Sequence, residues 1–168
     1  MKTQAPAGDA RGENSLHPAA AVVQPSRMAF RHQRTIHFAD TDAAGVVFFA
    51  NYLAICHEAY EEALAAADIE LKAFFADKNV IVPIAKSEAE FLRPLQAGEK
   101  VRVTVSPAVL TDNAYEIRFE IIRIGPPDKI AARIRTEHVC LDARSRKRIA
   151  LPSPLASWVR AGTQAPRG

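Results

Sequence analysis

The sequence has few of the features that identify membrane, disulfide-stabilised or zinc-binding proteins. It contains no apolar run of the roughly 18 or more residues that a membrane-spanning helix needs. The longest apolar stretch near the N-terminus, residues 19–23, is too short for a secretory signal. The two cysteines, Cys56 and Cys140, lie far apart and lack CxxC or zinc-ligand spacing, so we expect reduced thiols in a cytoplasmic protein.

The sequence has neither a large excess of charge of one sign nor a cofactor-binding motif. The 22 Lys and Arg residues nearly balance the 19 Asp and Glu residues, and a net charge of +3 does not by itself indicate a nucleic-acid partner. We find no glycine motif for phosphate binding and no set of metal ligands, so we expect no cofactor and no metal. What is present is ordinary globular composition, 48% hydrophobic over 168 residues, which suits one domain.

The composition changes near residue 30. The first 29 residues contain three prolines and seven alanines without a sustained period, so we expect a disordered N-terminal tail over residues 1–29. The folded domain is expected over residues 30–160, and residues 161–168 are expected to form a C-terminal tail.

A helical period follows residue 51 over four turns. Apolar residues at i, i+3, i+4 and i+7 predict one long amphipathic helix whose alanine-rich face can lie flat against a sheet. The residues in this pattern are Tyr52, Ile55, Cys56, Ala59, Tyr60, Ala63, Leu64 and Ala67.

Elsewhere the hydrophobic period is two, which is typical of strands with one buried face. The short turns between the later runs predict consecutive hairpins. The sequence therefore predicts an α+β domain in which one long central helix packs on an antiparallel sheet of about five strands. The predicted strands cover residues 30–38, 82–93, 101–105, 115–121 and 129–141.

The segment between the first strand and the helix, DTDAAGVVFFANY, holds the most unusual residues. A carboxylate beside a helix N-terminus lies close to unpaired backbone N–H groups and the positive end of the helix dipole. Those N–H groups can stabilise the negative charge that develops on a thioester oxygen, which would suit acyl transfer or hydrolysis. An aspartate that merely caps a turn explains the same residues.

From Ile36 to Leu64 the sequence resembles the 4-hydroxybenzoyl-CoA thioesterase family of hotdog-fold proteins. The family signature is a strand, then D-x-D-x-x-G-(V/I)-V, aromatic residues, N-Y and a long helix, which corresponds here to Asp40 to Tyr52. The order of elements extends the resemblance over about Phe30 to Pro152. It implies a hotdog fold, an acyl-CoA thioesterase, and a homodimer or homotetramer with active sites at the dimer interface.

The resemblance also implies roles for individual residues. Asp42 would be the catalytic carboxylate, either attacking the thioester carbonyl or activating a water molecule. The backbone N–H of Phe49 would bind the oxyanion, and Gly45 would let the backbone pass close to the substrate. His57 occupies the position of a helix carboxylate that reads a phenol hydroxyl in the 4-hydroxybenzoyl enzyme, so His57 and Tyr52 are candidate substrate-binding residues. The alternative interpretation of His57, from its position on the flank of the helix stripe, is an interface histidine without such a role.

A second set of motifs resembles the 1,4-dihydroxy-2-naphthoyl-CoA thioesterase branch. These motifs are CHEAYE at residues 56–61, EHVC at 137–140 and LP at 151–152. The expected substrate is therefore an aromatic CoA thioester of hydroxybenzoyl or dihydroxynaphthoyl type. Two alternatives stay open: an enoyl-CoA hydratase or dehydratase, which would need a histidine paired with an acid in the pocket, and a non-catalytic acyl-CoA binding module.

Overall fold

The computed structural model describes residues 29–163, so residues 1–28 of the predicted N-terminal tail and 164–168 of the predicted C-terminal tail lie outside the described part of the chain. A short 3-10 helix, Phe38–Asp40, precedes the long helix. In chain order the elements are β1 (Phe30–Thr35), α1 (Asn51–Ala65), α2 (Leu71–Ala76), β2 (Val80–Ile81), β3 (Ile84–Phe91), β4 (Lys100–Thr111), β5 (Ala114–Arg123), β6 (Lys129–Val139), β7 (Leu141–Asp142) and α3 (Ser153–Thr163).

Five strands form one antiparallel sheet in the order β1-β4-β5-β6-β3, and β2 pairs separately with β7. The long helix α1 packs on one face of this sheet, which confirms the predicted α+β class. The predicted series of hairpins is wrong at β3, because β3 pairs with β6 and lies at the far edge. Residues 92–99 carry the chain across the sheet, and Leu95 on this segment is fully buried. A short crossover anchored by one buried residue looks like a turn in sequence, because both are short and interrupted by Pro and Gly.

The hydrophobic core lies between α1 and the sheet. The helix residues that the 3.6 period placed on one face are buried, from Tyr52 to Leu64. They meet alternate residues of the central strands, because successive side chains of a strand point to opposite faces. The fully buried members on the sheet side include Val101, Val103, Val105, Tyr115, Ile117 and Ile121.

The opposite face of the sheet is covered by ion pairs between neighbouring strands. Arg135 on β6 pairs with Glu116 on β5 and with Glu88 on β3. Arg133 joins Glu120 and Glu90 across the same three strands. This polar face leaves the face under α1 as the side on which an apolar ligand can be bound.

The third helix, α3, packs beside β4 and was not predicted from the sequence. It ends at Thr163, three residues beyond the expected domain boundary. Gly162 lies so close to β4 that a Cβ atom there would be 2.6 Å from the ring of Pro107. Trp158 contacts Tyr60, with ring centroids 5.9 Å apart. Among the described residues, no helix is long and apolar enough to cross a bilayer.

Candidate active site

A tight loop just before α1 carries the aspartate predicted to be catalytic. Thr41 pairs with Val47 across this loop, and the Asp42 N–H donates to the Val46 carbonyl at 2.9 Å. Gly45 has φ +76°, a left-handed conformation that other residues adopt at a cost. Gly45 therefore closes the loop.

The side chain of Asp42 is exposed at the tip of this loop. Its Oδ1 accepts a hydrogen bond from the Ala44 N–H at 2.8 Å. Within residues 29–163, the carboxylate forms no ion pair and its Oδ2 accepts no hydrogen bond. One oxygen is therefore held by the loop, and the other is free to reach a substrate or a water molecule.

The first aspartate of the motif, Asp40, holds the loop in place. Its Oδ2 accepts hydrogen bonds from Arg34 Nη2 at 2.6 Å and from the His37 N–H at 2.7 Å. Its main-chain oxygen accepts from the Phe48 N–H and from Asn51 Nδ2, each at 2.9 Å. Asp40 thus joins β1, the loop and the first residue of α1. The resemblance alone assigned it no such function.

Arg34 extends this connection to the middle of α1. Its Nη1 donates to Glu58 Oε2 at 2.6 Å, and His32 Nε2 lies 3.0 Å from Glu58 Oε1. The Arg34 side chain is 10% exposed, so these charge-assisted bonds are partly shielded from water. β1 and α1 are therefore clamped together directly behind the loop.

The start of α1 offers unpaired backbone donors. No side chain caps the helix, whose N-cap is Ala50. Within the described range, the backbone N–H of Phe49 donates to no acceptor. Such N–H groups at the positive end of a helix dipole are suited to binding an oxyanion.

Two cavities lie end to end between α1 and the edge strand β3, and we call them together the α1–β3 groove. The first cavity, of about 270 Å³, is at the start of α1, where Tyr52 packs against Phe91 with ring centroids 5.0 Å apart. The second, of about 280 Å³, follows along α1. The first is lined by Val47, Phe49, Tyr52, Phe91, Leu92, Arg93 and Pro94. The second is lined by Leu53, Ala54, Cys56, His57 and Tyr60 of α1 and by Ile84, Ser87, Phe119, Thr136 and His138 of the sheet.

The groove gathers three of the five predicted site residues. Phe49 and Tyr52 line the first cavity, and His57 lines the second. Asp42 and Gly45 line neither cavity, but their loop reaches the first one through Val47. The loop also pairs at Val46 with the segment that follows β3. Their catalytic assignments stay predictions.

His57 lies at the surface of the second cavity. Its side chain is 45% exposed, and its Nδ1 is 3.0 Å from Glu61 Oε1 one turn further along α1. This is a histidine paired with an acid, the arrangement that the hydratase alternative requires. The imidazole also meets the ring of Tyr60 edge-on at 5.7 Å.

The sheet wall of the second cavity contains polar residues to which the sequence gave no role. His138 is 3% exposed, and burial, with a smaller contribution from His57, lowers its pKa to about 4. One ring nitrogen, Nε2, is 2.9 Å from Thr136 Oγ1. Thr136 and His138 lie on the inward-facing side of β6. The preceding residues on that side, Ala132 and Ile134, are apolar. The sequence signal that could have identified this pair is the presence of two polar residues on an otherwise apolar face of a strand.

Among residues 29–163, no group of three or more His, Cys, Asp or Glu side chains is arranged to hold a metal ion. The thiols of Cys56 and Cys140 are free and buried. Burial raises the pKa of both thiols, which keeps them protonated and unreactive near neutral pH.

The family, the relatives and the solved structure that match this chain are all described as thioesterases or CoA-thioester hydrolases. The thioesterase-like superfamily matches residues 36–159. The 1,4-dihydroxy-2-naphthoyl-CoA hydrolase of Thermosynechococcus vestitus is 43% identical over 133 residues, covering 79% of this chain and 90% of that protein. The protein of the same name from Crocosphaera subtropica is 40% identical over 129 residues, covering 77% and 94%. A crystal structure of a 1,4-dihydroxy-2-naphthoyl-CoA thioesterase from Synechocystis superposes with a TM-score of 0.75 at 29% identity, covering 79% of this chain and 96% of that one.

Proposed function

The chain belongs to the thioesterase-like superfamily, and from this premise we propose that it hydrolyses an aromatic acyl-CoA thioester of hydroxybenzoyl or dihydroxynaphthoyl type to the free acid and CoA. The observation that carries this proposal is the α1–β3 groove, with an uncapped helix start at one end and the loop that carries Asp42 adjoining it through Val47. The apolar walls of the groove suit a flat aromatic acyl group.

In the proposed reaction the thioester carbonyl lies at the start of α1. Its oxygen accepts a hydrogen bond from the Phe49 N–H, which becomes stronger as negative charge develops on that oxygen. The free oxygen of Asp42 either attacks the carbonyl carbon, giving a mixed anhydride that water then hydrolyses, or takes a proton from an attacking water molecule. On both routes the carbon–sulfur bond breaks, and CoA leaves as a thiolate that is protonated by water.

The catalytic assignment is tested by replacing the carboxylate. We expect Asp42→Asn to lower kcat on aromatic CoA thioesters by about 100- to 10,000-fold, the usual contribution of a positioned acid or base. Asp68→Asn is a matched control, since Asp68 is exposed at φ 57°, a conformation that Asn tolerates. Unchanged turnover in the folded Asp42→Asn variant would refute the assignment.

We also propose that the functional unit is a homodimer, or a tetramer of such dimers, in which a second copy covers the groove. The edge strand β3 pairs on one side with β6, and every residue of β3 is exposed. Unpaired strand edges and apolar surface of this kind are normally covered by a partner. The exposed apolar residues around the groove are Phe49, Leu53, Ile84, Phe91 and Leu92.

Sedimentation velocity tests the dimer. We expect Phe91→Lys to produce monomers, because it places a charge in the proposed interface. Leu110→Lys, an equally exposed apolar residue on β4, should leave the dimer intact. A wild-type protein that sediments as a monomer at micromolar concentration would contradict the proposal.

A cytoplasmic location is proposed as well, since both cysteines are unpaired thiols and CoA thioesters are intracellular metabolites. The hydratase alternative has a specific structural basis in the His57–Glu61 pair. Incubation with crotonyl-CoA distinguishes it: we expect no addition of water, and we expect CoA release from aromatic thioesters instead.

A further inference from the structure

One ring nitrogen of His138 forms a hydrogen bond and the other does not. Nε2 is hydrogen-bonded to the Thr136 hydroxyl, whereas the other nitrogen, Nδ1, has no partner among the described residues. No fully buried side-chain nitrogen or oxygen in that part of the chain lacks a partner, so Nδ1 must be accessible. His138 lines the second cavity, so its accessible Nδ1 is placed to meet a ligand bound there.

The orientation of this nitrogen is fixed by the surrounding rings. The His138 imidazole stacks on the Tyr115 ring, with centroids 4.7 Å apart and planes 9° from parallel. Tyr115 is itself fixed by a 2.7 Å hydrogen bond between its hydroxyl and that of Tyr60. The stack fixes the plane of the imidazole, and the Thr136 bond selects one of its two flipped orientations, so Nδ1 is a preorganised contact.

Most of the second cavity is apolar where the helix and sheet meet. Leu53, Ile84 and Phe119 can accommodate an aromatic ring, but a ring without polar groups would leave Nδ1 desolvated and unpaired. A ring hydroxyl avoids this cost. It can donate or accept a hydrogen bond, so it satisfies Nδ1 in either tautomer.

We propose that His138 is a specificity-determining residue that hydrogen-bonds, through Nδ1, a ring hydroxyl of the substrate that is not adjacent to the thioester. This inference rests on the proposed function. The thioester carbonyl lies at the start of α1, and Tyr60, which contacts His138, lies nine residues further along the helix. His138 therefore meets a part of the aromatic ring beyond the thioester.

Three CoA thioesters test the inference: 2-naphthoyl-CoA, 1-hydroxy-2-naphthoyl-CoA and 4-hydroxy-2-naphthoyl-CoA. We expect wild-type kcat/KM to be about 10-fold higher for the 4-hydroxy ester than for the plain ester, the usual worth of one such hydrogen bond. His138→Phe keeps a ring on Tyr115 but removes both nitrogens. It should abolish this preference, so that the variant's kcat/KM values for the 4-hydroxy ester and for 2-naphthoyl-CoA become similar. His138→Asn, which restores a polar group near Nδ1, should recover part of it.

Controls separate recognition from a structural role. Tyr115→Phe loses the buried hydroxyl pair but keeps the stacked ring, so it should lower stability without abolishing the preference for the 4-hydroxy ester. Equal loss on all three esters in His138→Phe, or no wild-type preference for the 4-hydroxy ester, would overturn the inference and leave the proposed function standing. Failure to hydrolyse any of the three would overturn both.

A binding measurement keeps the inference testable if His138→Phe does not fold. In wild-type protein, 4-hydroxy-2-naphthoate should shift the ¹⁵N resonance of His138 Nδ1, and 2-naphthoate should not. Thr136→Val, which releases Nε2, should reduce the preference for the 4-hydroxy ester over 2-naphthoyl-CoA by about 3-fold. Identical shifts with both acids, or an unchanged preference in Thr136→Val, would contradict the inference.

Discussion

The buried imidazole of His138 should make the stability of the protein depend on pH in acid. In the folded state burial holds its pKa at about 4, against 6.5 for a solvated histidine. The unfolded chain therefore binds a proton between these values that the folded protein does not bind. Stability is complete above pH 6.5 and is lost as the pH falls towards 4.

The size of this loss follows from the two pKa values. Each pH unit below 6.5 costs about 1.4 kcal/mol of unfolding free energy, until protonation of the folded state stops the decline near pH 4. We expect about 2 kcal/mol to be lost at pH 5 and about 3 kcal/mol at pH 4. Burial raises the pKa of Tyr60 to about 12 and raises that of Tyr115 further, so neither neighbour titrates in this window.

Urea unfolding at pH 7, 6, 5 and 4 measures the effect, with the fluorescence of Trp158, the one tryptophan of the sequence, as the probe. His138→Phe removes the titrating group but keeps an aromatic ring against Tyr115. Other titrating groups are shared by the two proteins, so the difference between their pH profiles isolates His138. A constant difference from pH 7 to pH 5 would refute the argument that His138 is buried and neutral.

Three further substitutions have defined outcomes. Tyr60→Phe leaves the Tyr115 hydroxyl buried without its partner and should lower the unfolding free energy by about 1–3 kcal/mol in urea titrations, whereas an unchanged midpoint would mean that the pair contributes nothing. Arg34→Met removes the donor that holds Asp40, so kcat should fall and amide exchange in the loop should accelerate; unaltered exchange would contradict this. Gly45→Ala should cost about 1–2 kcal/mol through its positive φ alone, since no atom lies within 4 Å of the added methyl, and equal melting temperatures would exclude that strain.

The fold could be predicted where local pattern and tertiary position agree. The period of 3.6 placed α1 because the face it buries, from Tyr52 to Leu64, is long and continuous. The same reasoning failed for β3, because period two identifies a strand but not its neighbour. The pairing of β3 with β6 depends on the path of residues 92–99, which is set by the contact of Leu95 with the core and by its bond to Val47.

Residues of the candidate site could be predicted only where they belong to one continuous sequence motif. Asp42 and Phe49 belong to a single stretch of sequence, so the resemblance identified both together. His138 and Thr136 come from β6, almost a hundred residues later, and face the groove only because β6 passes under α1. Their polarity was visible in sequence, but their meeting with His57 was not, since no local signal reports which strand lies below a given helical turn.

The close approach of α3 to β4 links a remote position to the shape of the groove. Any side chain at residue 162 would force the helix away from Pro107, because the nearest atoms would lie 2.6 Å from a new Cβ. Trp158, one turn earlier, would move with it and shift Tyr60, which lines the second cavity. The space open to an acyl group therefore depends on the size of one residue outside the pocket, at the point where α3 meets β4.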